Sequence, residues 1–470
     1  MHYISTRGDA PVLDFGDVLL TGLAADGGLY VPDAYPELPA LDALAAGGAD
    51  GPGGAGVGYA EAATALIAPY VAPSLTRDEL GAMVRDAYAT FRHPDVCPVT
   101  PLDDDLHLLE LFWGPTIAFK DVALQLVGRL FDHELTRRGR QATIVVATSG
   151  DTGSAAIEAC RGLDHVQIVV LHPDGKVSDV QRRQMTTVEA PNVHNVAIEG
   201  TFDDCQSAVK ALFADRALRT DVGLSAMNSI NWARVVAQTV YYTTAARTVG
   251  GGDPVQFSVP TGNFGNVLAG WVARATGTPI SQLVVASNRN DILTRWLAEG
   301  VMERHGVDHT LSPSMDIEIS SNAERLLFEL YDRNPMLLAE RMQEFAARGR
   351  VETGLASRTT VGEVFAGASV DDDATLAEIR RTYEATGVIL DPHTAVGVAA
   401  ARATRAERDR PMICLATAHP AKFPDAVEAA IGIRPDLPEH LADLFDRPER
   451  FDRLPNDLDA IKAHIRALTA

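Results

Sequence analysis

The sequence predicts an α/β protein of two parallel-sheet lobes preceded by a small, mainly helical N-terminal domain. From Leu106 onward, short apolar, β-branched runs alternate with stretches of helical patterning, the signature of parallel strands flanked by helices. These units fall into two sets, one near residues 140–235 and one joining 106–120 to the region after 250. Residues 59–69 and 76–91 instead carry apolar positions at helical spacing, and His93-Pro94 closes that section. The implied boundaries are 1–95 for the N-terminal domain, 96–138 with 236–470 for the larger lobe, and 139–235 for the smaller.

In chain order, Asp26-Gly27-Gly28 reads as a turn entering a short strand or loop at 29–32. Residues 46–58 are glycine-dominated and interrupted by Pro52, as in a mobile surface insertion. Buried strands are expected at 143–148, 166–171, 193–198, 255–259, 283–287, 388–390 and 413–416, with a helix over 202–218. Ligands of such sheets sit beyond the carboxyl ends of the strands, so loops at those ends carry the functional weight.

Composition narrows the partners. A net charge of −22 over 470 residues argues against a nucleic-acid backbone or an anionic membrane. An anionic substrate must then be caught by a local cluster of cations and amides. Four cysteines without CxxC spacing suggest neither a metal site nor a disulfide framework, and point to a reducing compartment. Neither a signal peptide nor a membrane span is expected, so a soluble, cytoplasmic chain is the simplest reading.

The chemistry centres on Leu111-Phe112-Trp113-Gly114-Pro115-Thr116-Ile117-Ala118-Phe119-Lys120-Asp121. Val122, Leu126, Val127, Leu130, Phe131 and Leu135 follow at helical spacing, so Lys120 stands at a helix start. There a cation faces the positive end of the helix dipole, and apolar neighbours desolvate it. Both effects favour the neutral, nucleophilic amine that forms a Schiff base, although an arbitrary lysine more often snorkels to solvent.

Three loops surround this idea. In Thr148-Ser149-Gly150-Asp151-Thr152-Gly153, hydroxyls and glycines at a helix start suit an anion, while Asp151 as a plain helix cap is the competing reading. Pro260-Thr261-Gly262-Asn263-Phe264-Gly265-Asn266 can form a nest of N–H groups for a small phosphate ester. It lacks the lysine of a nucleotide-binding loop, and the dinucleotide fingerprint is absent, which disfavours a nicotinamide oxidoreductase. In the third loop, 413–423, Thr417 ends a strand with a hydroxyl able to meet a ring nitrogen, and Lys422 follows. A reactive lysine, a phosphate nest and a hydroxyl-lined loop together suit pyridoxal phosphate.

At these residues the chain resembles the longer, two-lobed form of threonine synthase, a fold-type II pyridoxal phosphate enzyme of the tryptophan synthase β-like superfamily. The likeness runs through Tyr3-Ile4-Ser5-Thr6-Arg7-Gly8, Asp26-Gly27-Gly28-Leu29-Tyr30-Val31-Pro32, the lysine segment, residues 148–153, Asn228-Ser229-Ile230-Asn231-Trp232-Ala233-Arg234, residues 262–266, Asp391-Pro392-His393-Thr394-Ala395-Val396-Gly397 and residues 417–423. The insertion at 46–58 departs from it.

The resemblance implies conversion of O-phospho-L-homoserine and water to L-threonine and phosphate, by a monomer or homodimer. It implies Lys120 as cofactor anchor and base, Gly262, Asn263, Phe264, Gly265 and Asn266 on the cofactor phosphate, and Thr417 on the pyridine nitrogen. Ser149, Asp151 and Thr152 would meet the substrate or the cofactor 3′-oxygen. Arg234, His393 and Lys422 would recognise anions. The rivals are a related lyase or dehydratase releasing a 2-oxo acid, and a non-catalytic ligand-binding relative.

Overall fold

A computed structural model describes residues 1–39, 58–103, 106–148, 150–354, 362–405 and 408–469. Apart from Gly58, the expected surface insertion at 46–58 lies outside the described residues, as does Ser149.

The N-terminal segment pairs β1 (Tyr3–Ser5) with β2 (Tyr30–Pro32) as an antiparallel ribbon. Around it lie the helices Phe15–Thr21, Tyr59–Val71 and Arg77–Tyr88. A reciprocal capping box fixes the start of the last: Thr76 accepts from the Glu79 N–H while the Glu79 side chain takes the Thr76 N–H.

The remaining strands, in chain order, are β3 (Val99–Pro101), β4 (Leu106–Glu110), β5 (Ala142–Ala147), β6 (Val166–Pro173), β7 (Val193–Glu199), β8 (Leu224–Ser225), β9 (Val255–Pro260), β10 (Ile280–Ser287), β11 (Val301–Glu303), β12 (Arg350–Glu352), β13 (Phe365–Ser369), β14 (Met412–Ala416) and β15 (Asp452–Pro455). They form a six-stranded sheet ordered β13-β10-β9-β14-β4-β3 and a five-stranded sheet ordered β15-β7-β6-β5-β8, with β11 and β12 as a separate ribbon. Both large sheets are parallel except where β3 meets β4. Parallel strands are covered on both faces, which is why Val166–Pro173 is buried along nearly its whole length. No described helix is long and apolar enough to cross a membrane.

Three expectations need correction. Residues 388–390 form no strand: Gly387, at φ 74°, ends one helix and Asp391 caps the next, leaving three residues between caps. The strand of that region is the edge strand β13, whose small residues give no apolar run. The helix over 202–218 breaks at Asp215, whose side chain caps a second helix, Arg216–Asp221, by accepting from the Leu218 N–H. Nor does all of 236–470 belong with the larger sheet. β15 pairs with β7, and Ile461 and Ile465 of the helix Leu458–Thr469 pack on Val145, Val169 and Ile198 of the smaller one. Only the amphipathic helix makes that excursion favourable, since β15 itself offers a single apolar side chain besides proline. Pro455 is tolerated because β15 is an edge strand.

Candidate active site

The carboxyl ends of β4, β5, β9 and β14 open onto one cleft of about 1560 Å³. Lys120, Asp151, Thr152, Arg234, Gly262, Asn263, Phe264, Gly265, Asn266, His393 and Thr417 all line it. Lys422 does not; it lies fully buried behind Asp151.

Lys120 opens the helix Lys120–Arg138, and Phe119 before it makes no side-chain cap. The preceding segment is stitched to the third loop. Phe119 N–H donates to the Thr417 carbonyl (2.8 Å), His419 N–H to Ile117 (3.0 Å), and Leu111 N–H to Ala416 (2.9 Å). The amine is therefore delivered into the cleft by two loops acting as one. It is 8% exposed, which excludes snorkelling. Its nitrogen lies 3.2 Å from Asp151 Oδ2 and 3.4 Å from Ser314 Oγ. Burial pulls its pKa below the ordinary lysine value, against the opposing pull of the Asp151 charge.

Asp151 is the first residue of the helix Asp151–Cys160, and it is not the helix cap. Thr148 serves the helix start instead, its hydroxyl accepting from the Gly150 (2.9 Å) and Gly153 (3.0 Å) N–H groups. Gly150, at φ 147°, lets the chain pass under Gln181, whose amide donates to Asp151 Oδ1 at 2.8 Å. Lys120 and Lys422 hold the Asp151 carboxyl well below the usual range despite its burial.

The turn after β9 is held from outside. Ser320 donates to the Gly262 carbonyl (2.8 Å), and the Asn322 amide and N–H donate to the Asn263 carbonyl (2.9 and 3.2 Å). In planar trans peptides the N–H opposes the C=O, so the Asn263 and Phe264 N–H groups point away from those partners. Neither has an acceptor among the described residues. Phe264 at φ 60° turns the chain into the helix Gly265–Ala275, whose first N–H groups lack carbonyls one turn back. Asn266 Oδ1 is taken by the Tyr241 and Tyr242 hydroxyls (2.5 and 2.9 Å), leaving its buried Nδ2 without a partner.

Two residues expected to bind anions differ sharply. Arg234 is 5% exposed at the N-terminal turn of the helix Trp232–Gly250, and its Nε and Nη1 have no partner. Burial alone pulls its pKa down to about 10. A buried, unpaired guanidinium at the positive end of a helix is costly unless an anion joins it. His393 is saturated: Nδ1 lies 2.8 Å from Asp391 Oδ1, and Nε2 accepts from the Ser314 N–H at 3.2 Å. It anchors the 313–317 loop and leaves no ring N–H for a ligand.

Ser314 went unseen in the sequence. Its hydroxyl reaches both Asp151 Oδ2 (2.9 Å) and Lys120, and its carbonyl lies against Gly262. A lone serine in a polar loop carries no periodic or motif signal. Thr417 presents a hydroxyl with no hydrogen-bond donor or acceptor among the described residues, while its N–H is bound by Thr394 Oγ1 (3.2 Å).

Comparison with known proteins follows the same layout. Residues 2–88 match the threonine synthase N-terminus family model, 102–417 the pyridoxal-phosphate dependent enzyme model, and 394–465 the threonine synthase C-terminal model. The chain is 50% identical to the threonine synthase of Pseudomonas aeruginosa over 467 residues, covering 99% of this chain and 98% of that one. Among solved structures, the pyridoxal-phosphate-bound threonine synthase of Brucella melitensis superposes with a TM-score of 0.95 at 47% identity, covering 100% and 99% of the two chains. Yeast threonine synthase superposes at 0.92 with 37% identity, covering 99% and 98%.

Proposed function

The chain belongs to the threonine synthase family, and from that premise we propose how its own residues carry threonine synthase activity with pyridoxal phosphate as cofactor. The substrates are O-phospho-L-homoserine and water; the products are L-threonine and phosphate. One observation carries the reading: the buried Lys120 amine shares a cleft with partnerless N–H groups and an unpaired guanidinium.

The residues fit the cofactor. The Asn263 and Phe264 N–H groups, the orphaned Asn266 amide and the helix start of Gly265–Ala275 suit a phosphate. Lys120 would hold the aldehyde carbon and Thr417 the ring nitrogen, which a hydroxyl, unlike a carboxylate, leaves mostly unprotonated. Bound there, pyridoxal phosphate supplies an electron sink for negative charge beside the substrate's amino group.

Once displaced by the substrate amine, Lys120 is the base within reach. It removes the α-proton, then a β-proton, and returns a proton at Cγ after the phosphate has left. Arg234 holds an anionic group of the substrate and so fixes the direction of departure. Ser314 and Asp151, hydrogen-bonded to each other beside the amine, keep it oriented between these transfers. Water then adds its hydroxyl at Cβ, and a proton returns to Cα. Thr152, in the first turn of the helix Asp151–Cys160 and lining the cleft, remains a candidate substrate contact, and Ser149 keeps that role from the resemblance alone. His393 acts from the cleft wall on the 313–317 segment, and Lys422 acts from behind it on Asp151. Four buried, unpaired cysteines support a reducing, cytoplasmic setting, in which the chain works as a monomer or homodimer.

The test is the absorbance of the purified protein before and after O-phosphohomoserine, with phosphate and amino-acid products measured together. Equal amounts of threonine and phosphate are expected. Formation of 2-oxobutyrate in place of threonine overturns the reading.

Gly262 gives a second check. A Cβ there would lie 2.8 Å from the Ser314 carbonyl oxygen. Gly262→Ala is expected to cost about 1–3 kcal/mol of fit, read as faster loss of cofactor on dialysis. Gly58→Ala, where a Cβ meets nothing within 4 Å, should leave retention unchanged.

A further inference from the structure

Lys422 is a buried charge that the proton transfers above leave unused. It is 0% exposed and lies in the short turn Pro420–Lys422, a few residues after Thr417. Its amine meets the Thr116 carbonyl at 2.9 Å and Asp151 Oδ1 at 2.9 Å. Asp151 is thus shared between two lysines. Oδ1 takes Lys422 and the Gln181 amide; Oδ2 takes the Ser314 hydroxyl at 2.9 Å and, at a longer 3.2 Å, Lys120.

We propose that Lys422 is a positioning residue: by keeping Asp151 as its lasting counter-ion, it loosens that carboxylate's grip on Lys120 and frees the Lys120 amine for the cofactor. The inference rests on the reading of Lys120 as the cofactor-bearing residue. A buried carboxylate facing one lysine would hold it as a full ion pair, and an ammonium is no nucleophile. Two cations competing for one carboxylate cannot both be well compensated, and the less firmly held one gives up its proton. Lys422 has a carboxylate and a carbonyl, both at 2.9 Å, whereas Lys120 has a carboxylate at 3.2 Å and a hydroxyl at 3.4 Å. The charges facing Lys120 are Asp151, Lys422 and Arg234; the His393 ring lies beside Asp151, and Lys422 also faces the buried Asp121 carboxyl, which already accepts the Thr116 N–H and hydroxyl. Of these, the two cations act in the same direction as burial, lowering the amine's proton affinity.

A purely structural pair, tying the 116 and 422 segments together, would change stability alone. The two roles separate when the full-length chain, stripped of cofactor, is mixed with pyridoxal phosphate across a pH series. Capture is followed by absorbance near the visible edge, and folding by circular dichroism and thermal melting. Lys422→Gln keeps a donor for the Thr116 carbonyl but removes the charge. Its half-maximal capture is expected about one pH unit higher, making capture about tenfold slower at neutral pH. Lys422→Arg should restore the parental profile. Asp151→Asn should move it the other way. A folded Lys422→Gln protein with the parental profile overturns this inference alone. A parental band that survives Lys120→Ala overturns it together with the reading of Lys120.

Discussion

Lys120→Ala is expected to abolish the absorbance band near the visible edge and to lower threonine formation by at least about 10³-fold, the upper range of a lost acid–base group. The fold should survive. The amine is buried and only loosely compensated, and Asp151 retains Lys422, Gln181 and Ser314 after its loss. Thermal melting should therefore show the variant no less stable than the cofactor-stripped parent chain. That combination, intact folding with no band and no product, distinguishes a cofactor anchor from a structural lysine. Threonine formation at the parental rate by Lys120→Ala would sink the assignment.

Arg234→Leu should show two effects of opposite sign. Without an anion the guanidinium is buried, unpaired and at the unfavourable end of its helix. Replacing it with an apolar side chain is expected to stabilise the unliganded chain by about 1–3 kcal/mol, the cost of an unsatisfied buried polar group. With substrate the balance reverses. Losing a desolvated cation from an anion costs about 2–5 kcal/mol, or roughly 30- to 4000-fold in kcat/KM. Thermal melting without ligand and steady-state kinetics with O-phosphohomoserine measure the two sides. A variant less stable when empty, with unchanged kcat/KM, would show that Arg234 supports the fold rather than the ligand.

The buried parallel strands were readable because both faces are largely apolar, so 166–171 and 283–287 stand out as runs. β13 and β15 were not, since Phe365–Ser369 is mostly small residues and Asp452–Pro455 is an edge strand held by the helix behind it. Residues 388–390 misled for the converse reason. Their apolar run only spans the gap between two helix caps.

Within the site, the residues proposed to meet a ligand directly, Lys120 and the 262–266 turn, sit on motifs whose spacing is dictated by a helix start. Residues that act through a partner carry no such spacing. Ser314 and Gln181 each take their meaning from Asp151, which is 163 and 30 residues away from them in sequence and close only in the folded chain. Lys422 was found by its charge but not by its task, because sequence cannot tell a lysine facing a ligand from one facing another residue's carboxylate.

The return of residues 452–469 to the smaller sheet also sets an order of events during synthesis. A nascent chain that has not reached residue 452 has every loop of the cleft, yet the Val193–Glu199 edge is unpaired, and the place of Ile461 and Ile465 over Val169 and Ile198 is empty. The smaller sheet, whose β5 leads into the cleft, is therefore completed only after every cleft-lining residue has been made. A frameshift or early stop near the end of the message would uncover that sheet face and present an open strand edge to neighbouring chains, a route to aggregation.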